Sequence, residues 1–353
     1  MAMAGPTLHI DLTAIVANWR MFASRASQAS VAAVVKADAY GLGAGPVAQA
    51  LAKAGCSRFY VAWPHEGSAL RRWLGGGPEI SVFHGPTSDT MAVFADDHLV
   101  PVLNHPEQIR MWMSDMNSER PAAIHVDTGM NRLGLCEADW RAAAQVMTHP
   151  HRLISHLACA DEDSPLNQQQ LEAFHRACSL WPVSERSLAA TAGTYLGANY
   201  HFDEIRPGIG LYGGGPIPPA GARPEPVIRL TAPVLQVRRV RTGQSVGYGA
   251  SWTATCDSDL ATVGLGYADG FLRAASNRGF VRICGQSRPV VGRVSMDLTI
   301  IDVTGLSVSP GDRVELIGTE MPLAQTARFM DTIDYEVLVR LGARLDRHYL
   351  GKE

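Results

Sequence analysis

The first two-thirds of the chain alternates between two hydrophobic patterns, and this alternation restricts the fold more than any other feature. The i, i+3, i+4, i+7 spacing of an amphipathic helix, which Asp11 could cap, occurs at Leu12, Ile15, Val16 and Trp19. Between such helices lie short apolar runs, typical of parallel strands that are buried on both faces. We place these strands at residues 32–35, 59–63, 80–83, 99–103, 123–126, 153–157, 188–191 and 205–209.

About eight βα steps is the number that closes a parallel barrel. An open doubly wound sheet is the alternative, but it typically has fewer strands. We therefore predict an α/β fold with a (β/α)8 barrel of the TIM type over residues 1–220, of which residues 1–10 could instead pair with a second domain.

The composition of the sequence changes near residue 215, where a stretch rich in glycine and proline is typical of a linker. Beyond it, apolar and polar residues alternate at 234–240, 280–284 and 313–317, with turns between them. Two helical segments follow, around 323–330 and 335–341. Residues 221–353 are thus predicted to form a mostly β C-terminal domain.

The composition is that of a globular protein, with 46% hydrophobic and 18% charged residues. Thirty-one basic and 34 acidic residues leave a net charge of −3, which gives no electrostatic reason to expect nucleic acid or a membrane surface as a partner. We find no secretory signal and no apolar run approaching the ~18 residues of a membrane helix, and so predict a cytoplasmic enzyme. The six cysteines are scattered without a C-x-x-C pair, which predicts reduced thiols and no metal site.

Polar residues follow directly upon several of the apolar runs. In a parallel barrel the catalytic groups lie at the carboxyl ends of the strands, where the loops converge. Lys36 ends the first predicted strand, and residues 127–132 follow the fifth. His156 falls in the sixth, Thr191 ends the seventh and Arg206 falls in the eighth. The sequence therefore predicts an active site at this rim.

Lys36 carries the most specific local signal, in the run AVVKADAYGLG. Burial lowers the pKa of a lysine from about 10.4, and the neutral amine is the nucleophile that forms a Schiff base. Tyr40 lies four residues further on and can present a phenol to the same site. The glycines at 41, 43 and 45 also permit a dinucleotide-binding interpretation, but no acidic residue ends the second strand, so we favour turn glycines.

Seven ordered segments together resemble the alanine racemases, a family that uses pyridoxal 5′-phosphate (PLP). They are AVVKADAYGLG, DTGMNRLG at 127–134, SHLACADE at 155–162, IRPGIGLYG at 205–213, SVGYG at 245–249, GYADG at 266–270 and GRVSMD at 292–297. The resemblance covers nearly the whole chain. It implies a PLP-binding barrel followed by a β domain, which agrees with the fold predicted from periodicity.

The resemblance implies a two-base mechanism. Lys36 matches the lysine that binds PLP and acts as one catalytic base, and Tyr248 matches the second base. A phenol of pKa about 10 needs nearby donors or cations to act as a base at neutral pH. The family places a histidine and an arginine behind this tyrosine, and these match His156 and Arg206. Arg206 also matches the arginine that contacts the PLP ring nitrogen.

The resemblance also assigns the remaining binding residues. The cofactor phosphate would be held by Tyr40, Thr191, Gly208 and Ile209, and the substrate carboxylate and its surroundings would be contacted by Arg132, Met296 and Tyr267. His125 is a departure, because family members often have a lysine there whose carbamate orients the arginine. The family further implies a homodimer in which Tyr248, Tyr267 and Met296 act in the partner's site.

The predicted function is the interconversion of L- and D-alanine, which supplies D-alanine for peptidoglycan. A serine or broad-spectrum racemase is the nearest alternative, since one sequence does not reveal the volume of the pocket. A related barrel decarboxylase has different motifs in its second domain. A non-catalytic PLP-binding protein would be a single barrel, so the added domain with Tyr248 argues against it. A barrel unrelated to PLP is the last alternative.

Overall fold

The computed structural model describes residues 5–26, 28–115, 120–182 and 184–351, and they divide into two compact units. The barrel unit comprises residues 15–211 and 215–224. The β unit comprises the described residues up to 14, residues 212–214 and the described residues from 225 onward, so that it includes strand β1 (Thr7–Asp11). Position 220, the sequence-based boundary, lies within the segment that packs with the barrel unit.

Eight parallel strand positions make up the described part of the barrel unit, the first of them interrupted at Ala32. They are β2 (Ser30–Val31) with β3 (Ala33–Val34), β4 (Arg58–Val61), β5 (Glu79–Val82), β6 (Leu99–Leu103), β7 (Ala123–His125), β8 (Arg152–Ile154), β9 (Glu185–Ser187) and β10 (Glu204–Ile205). Strands β3 to β9 pair in chain order. Strand β10 pairs with β2, and the adjoining Arg206 bridges Ala190 beyond β9. The predicted closed barrel is confirmed.

Helices follow the strands as the sequence pattern indicates. They are α1 (Leu12–Arg25), α2 (Lys36–Gly41), α3 (Ala44–Lys53), α4 (Pro64–Leu74), α5 (Met91–Asp96), α6 (Pro106–Asp115), α7 (Glu137–Val146) and α8 (Pro165–Cys178), with 3-10 turns at Ser88–Thr90, Ala192–Leu196, Ala198–Tyr200 and Ile209–Tyr212. Asp11 caps α1, because its Oδ1 accepts the Ala14 N–H at 3.0 Å.

The two last barrel strands begin earlier than the apolar pattern predicts. Strand β9 ends at Ser187, whereas we expected 188–191, and β10 ends at Ile205, whereas we expected 205–209. The predicted position of Thr191 at the end of a strand is therefore wrong, since it lies in the turn that follows. Arg206 directly extends β10 through its parallel bridge to Ala190. The apolar rule fails here because both strands begin with polar residues that are satisfied inside the barrel.

Those polar residues belong to an ionic cluster at the amino ends of the strands. Arg152, which is fully buried, donates to the Tyr60 hydroxyl at 2.9 Å, to Glu79 at 2.9 Å and to Glu185 at 3.0 Å. The Tyr60 hydroxyl in turn donates to Glu204 at 2.6 Å. Buried charges persist when they are paired and hydrogen-bonded in this way. The cluster closes the end of the barrel opposite Lys36.

The β unit is a mostly antiparallel sheet with two short helices. Its further strands are β11 (Ile228–Val240), β12 (Ser245–Val246), β13 (Trp252–Thr253), β14 (Ser258–Val263), β15 (Phe280–Ile283), β16 (Gln286–Pro289), β17 (Thr299–Asp302), β18 (Arg313–Ile317) and β19 (Asp346–Leu350), its helices α9 (Leu323–Phe329) and α10 (Asp334–Val339), and its 3-10 turns Tyr248–Ala250, Tyr267–Asp269 and Arg273–Ala275.

The long strand β11 organises this sheet, whose main order is β16-β15-β18-β11-β1-β19. Strand β11 also pairs with β14, which pairs with β17. The predicted β-rich C-terminal domain is confirmed. Among the described helices of the whole chain, none has the length and apolar character needed to cross a membrane.

Candidate active site

Lys36 begins the loop after β3, at the carboxyl end of the strand, as the sequence predicts. Its Nζ lies 5.8 Å from the centre of the Phe83 ring, and that ring stacks on Tyr60 at 4.9 Å. Burial lowers the pKa of Lys36, the positive charge of Arg132 lowers it further, and the negative charge of Glu66 opposes both. The amine is thus shifted toward its neutral, nucleophilic form.

The four residues after Lys36 form a left-handed turn. Ala37, Asp38, Ala39 and Tyr40 have φ between 51° and 56°, a conformation that costs a residue with a Cβ about 1–2 kcal/mol. Two contacts hold it: Glu66 accepts the Ala37 N–H at 2.7 Å, and the Asp38 carboxylate accepts the Ala44 N–H at 2.7 Å. The turn carries Tyr40 back into the barrel, where its side chain is buried.

Tyr40, Thr191, Gly208 and Ile209 lie beyond the first, seventh and eighth barrel strands, and we call them the hydroxyl cradle. Thr191 Oγ1 accepts the N–H of Gly208 at 3.1 Å and that of Gly210 at 3.2 Å, so its own hydroxyl hydrogen points elsewhere. A Cβ at residue 208 would lie 2.3 Å from the Tyr40 hydroxyl, which only glycine avoids. The cradle therefore presents hydroxyl donors beside glycine backbone, a combination that suits a phosphate.

Arg206 is a buried guanidinium bound to uncharged groups. It donates to the Ser187 hydroxyl and, at 2.6 Å, to the Ser155 carbonyl, and it lies 5.9 Å from the Tyr60 ring. Burial lowers the pKa of Arg206, while Tyr60 and Glu204 oppose that shift. An arginine nevertheless stays charged, so a fixed positive charge lies inside the barrel.

Two histidines are kept neutral beside that charge. Burial, with the positive charges of Arg206 and Arg132, lowers the pKa of His156 to about 3. Burial and Arg206 also lower the pKa of His125 to about 4, although Asp127 opposes them. Both imidazoles are therefore uncharged at neutral pH, and each has one nitrogen that accepts a hydrogen bond.

Arg132 lies on an exposed loop that Asp127 shapes. The Asp127 carboxylate accepts the N–H groups of Gly129, Met130 and Asn131, each at 2.9 Å. The charge of Arg132 lowers the pKa of Lys36 and of both histidines, which places its guanidinium at the same end of the barrel. An exposed guanidinium on a braced loop is suited to bidentate binding of a carboxylate.

The three candidates in the β unit are exposed and lie near one another. Tyr248 is 71% exposed, Met296 53% and Tyr267 41%. A cleft of about 590 Å³ is lined by Tyr248 and Tyr267 together with Arg273, Arg293 and Ser295. The Tyr267 N–H donates to the Ser295 carbonyl at 3.0 Å, and the Ala268 N–H donates to the Met296 carbonyl at 3.0 Å. Tyr248 and Tyr267 therefore share one cleft, and backbone hydrogen bonds join the loops of Tyr267 and Met296.

Sequence reasoning missed three charged residues of these sites. Arg273 and Arg293 line the cleft beside Tyr248. Arg293 lies in the GRVSMD motif, whereas Arg273 lies in none of the seven motifs. Glu66 contacts the Lys36 loop, and the available signal was its place at the third position of helix α4, where a glutamate reaches back to cap the helix.

The barrel residues fit a phosphorylated aldehyde. A lysine amine of lowered pKa can attach an aldehyde, the hydroxyl cradle suits a phosphate, and the buried Arg206 suits a ring nitrogen that remains unprotonated. The Tyr40 hydroxyl leaves no space for a side chain at residue 208, so the backbone there stays uncovered by a side chain of its own. PLP has all three of these groups.

Fold and site together define a PLP-dependent enzyme built on a (β/α)8 barrel with a β domain. The family model of the alanine racemase N-terminal domain matches residues 10–216, and that of the C-terminal domain matches residues 227–349. The chain belongs to the alanine racemase family.

Individual relatives agree over the full length. An alanine racemase of Jannaschia sp. (strain CCS1) is 47% identical and covers 98% of this chain and 99% of its own length. A crystal structure of alanine racemase from Bartonella henselae with covalently bound pyridoxal phosphate has a TM-score of 0.94 at 37% identity, over 98% of this chain and 100% of that one. A biosynthetic alanine racemase from Pseudomonas aeruginosa has a TM-score of 0.91 at 35% identity, over 98% and 99%. The activity is therefore racemisation of alanine, with PLP as the cofactor.

Proposed function

We propose that Lys36 and Tyr248 are the two bases that exchange the α-proton of alanine. Racemisation removes a proton from one face of the α-carbon and returns it to the other, which suits two bases on opposite faces. The lowered pKa of Lys36, at the carboxyl ends of the barrel strands, is the observation that carries the proposal. Tyr248 is the most exposed acid–base side chain of the β-unit cleft.

The barrel residues would hold the cofactor. Lys36 would attach it, Arg206 would contact the ring nitrogen, and Tyr40, Thr191, Gly208 and Ile209 would bind the phosphate. His156 and Arg206 would support the Tyr248 phenol. PLP, when bound, supplies an electron-withdrawing ring that acidifies the α-carbon. The permanent charge of Arg206 and the low pKa of His156 support this arrangement, because a cation stabilises a phenolate and a neutral imidazole can donate a hydrogen bond to it without protonating it.

Arg132 would bind the substrate carboxylate, and Met296 and Tyr267 would limit the space around the side chain of the substrate. The loop braced by Asp127 supports the role of Arg132, since a fixed guanidinium selects one orientation of a carboxylate. Backbone hydrogen bonds between the Tyr267 loop and the Met296 loop support the proposal that both residues line the same side of the substrate site.

We extend the proposal to the assembly and the cellular role. A homodimer, in which the β unit of one subunit supplies Tyr248, Tyr267 and Met296 to its partner's barrel, follows from the family resemblance. The enzyme would be cytoplasmic and would supply D-alanine for peptidoglycan; the relative from Pseudomonas aeruginosa, which is named biosynthetic, supports a role in biosynthesis. Mixing Lys36→Ala and Tyr248→Phe subunits tests the sharing of sites, because a shared site regains activity in the mixed dimer.

The two-base proposal is tested with L- and D-alanine supplied separately in deuterated water. Wild-type enzyme should exchange the α-hydrogen of both enantiomers and bring them to equal amounts on chiral chromatography. Tyr248→Phe should lower interconversion by about 10²–10⁴-fold but retain α-exchange of one enantiomer, since one base remains. Tyr200→Phe, a phenol on a barrel-unit turn, is the control. Wild-type interconversion by Tyr248→Phe would contradict the proposal.

A further inference from the structure

The Glu66 carboxylate joins the ends of two neighbouring barrel strands. Its Oε1 accepts the N–H of Ala37, just beyond β3, at 2.7 Å. Its Oε2 accepts the N–H groups of Ala62 and Trp63, just beyond β4, at 2.8 and 3.0 Å. Three backbone donors on one side chain suit an ionised carboxylate, because both of its oxygens only accept hydrogen bonds. A glutamine would turn an NH2 group toward at least one of these donors.

Ala37 is the residue to which this contact matters most. It follows Lys36 directly and opens the left-handed turn, with φ 51°. That conformation is unfavourable for alanine, so the turn depends on contacts from outside it. The hydrogen bond from Ala37 to Glu66 is one of them, and it fixes the backbone from which the Lys36 side chain leaves.

The charge of Glu66 acts on the same lysine. Glu66 favours the protonated form of Lys36, whereas burial and Arg132 favour the neutral form. His84 and His156 also face the amine, and both are kept neutral. The negative charge of Glu66 thus offsets the effect of Arg132 on the Lys36 amine.

We propose that Glu66 is a positioning residue for Lys36, which fixes the direction of the reactive side chain through the Ala37 N–H and supplies the counter-charge to Arg132. The inference rests on the proposed role of Lys36 in attaching the cofactor. Glu66 would act on Lys36 without touching the reacting atoms, and it does not lie at the end of a strand, where the sequence pattern predicts catalytic residues.

Glu66→Gln in the cofactor-free protein tests the first half. Loss of a hydrogen bond to a charged acceptor is worth about 1.5–3 kcal/mol, which corresponds to about tenfold or more in the hydrogen exchange of the Ala37 amide. The control is Glu107→Gln, because Glu107 is an exposed residue paired only on its own helix with Arg110. Unchanged protection of the Ala37 amide overturns the proposal.

The pH dependence of PLP capture tests the second half. Borohydride fixes the cofactor on Lys36, and peptide mass spectrometry measures the fixed fraction at each pH. Removal of the negative charge lowers the pKa of Lys36, so the midpoint of capture should move to lower pH in Glu66→Gln and stay in place in Glu107→Gln. An unmoved midpoint in Glu66→Gln overturns the proposal.

Glu66→Asp separates geometry from charge and serves if the glutamine variant does not fold. It should keep the midpoint near that of the wild type while Ala37 protection falls, because the charge remains but the reach is one methylene shorter. A midpoint shifted as far as that of Glu66→Gln would overturn the electrostatic role. If borohydride fixes no PLP on Lys36 in the wild type, the proposed function is contradicted instead. The hydrogen exchange of the Ala37 amide, measured without cofactor, would still test the positioning role of Glu66.

Discussion

Nδ1 of His125 lies 2.8 Å from Oδ1 of Asn104, and the other contacts of Asn104 decide which atom carries the hydrogen. The Asn104 amide nitrogen donates to the carbonyls of Phe83 and Val102 at 2.9 and 2.8 Å. Its oxygen therefore faces the imidazole and can only accept. His125 must carry its hydrogen on Nδ1 and present the lone pair of Nε2.

This tautomer is open to direct measurement. In ¹⁵N NMR of the cofactor-free protein, His125 should be the neutral Nδ1–H form at pH 7 and remain neutral at pH 5, since its pKa lies at about 4. Asn104→Asp should raise the pKa of His125, because a carboxylate beside the ring favours the imidazolium. Asn199→Asp, on an exposed turn, should leave it unchanged. An Nε2–H signal in the wild type would show the assignment to be wrong.

The two neutral histidines also make stability depend on pH. Their folded-state pKa values, about 4 for His125 and about 3 for His156, lie below the ordinary 6.5, so the unfolded chain binds more protons in between. Their contribution to the free energy of unfolding is complete above pH 6.5 and is lost as the pH falls toward 4. Each histidine adds at most about 1.4 kcal/mol per pH unit.

Urea unfolding of the cofactor-free protein between pH 7 and 5 measures this slope. His156→Gln and His125→Gln should each flatten it by about the same amount, because both imidazoles stay largely neutral in the folded protein over this range. His65→Gln is the control, on an exposed histidine at the start of α4. A slope unaffected by both site variants would mean that these histidines are protonated in the folded protein.

Most residues of the candidate site were identified from the sequence by the ordered motifs and by one rule, that catalytic groups follow the carboxyl ends of parallel strands. A buried parallel strand is visible as an apolar run, and its end as a change to polar residues. Lys36 and the loop of Arg132 were found in that way. The same rule misplaced β9 and β10, since their first residues, Glu185 and Glu204, are paired with partners distant in sequence, Arg152 and Tyr60. Glu66 and Asn104 were missed for the same physical reason: each acts through backbone or side-chain partners that only the folded chain brings together.

The left-handed turn after Lys36 gives a stability test with a matched control. Ala37 is exposed and has φ 51°, so Ala37→Gly removes a conformational cost of about 1–2 kcal/mol and adds about 0.4–1 kcal/mol of unfolded-chain entropy. We expect the free energy of unfolding to rise by up to about 1 kcal/mol. Ala142→Gly, at an exposed position within the right-handed helix α7, should instead lower it by about 0.5–1 kcal/mol. Equal destabilisation by both changes would contradict the left-handed geometry.

The hydroxyl cradle has room only for glycine at residue 208. In Gly208→Ala the new methyl would lie 2.3 Å from the Tyr40 hydroxyl, so the phenol must move away from residue 208. We expect PLP affinity, followed by cofactor absorbance in equilibrium dialysis, to fall about tenfold or more, as loss of one charge-assisted hydrogen bond implies. Gly76→Ala, with no atom within 4 Å of its Cβ, should leave the affinity unchanged. Adding Tyr40→Phe to Gly208→Ala should then cost little more, because the phenol has already left the phosphate, whereas a second full loss would show that Tyr40 still binds it.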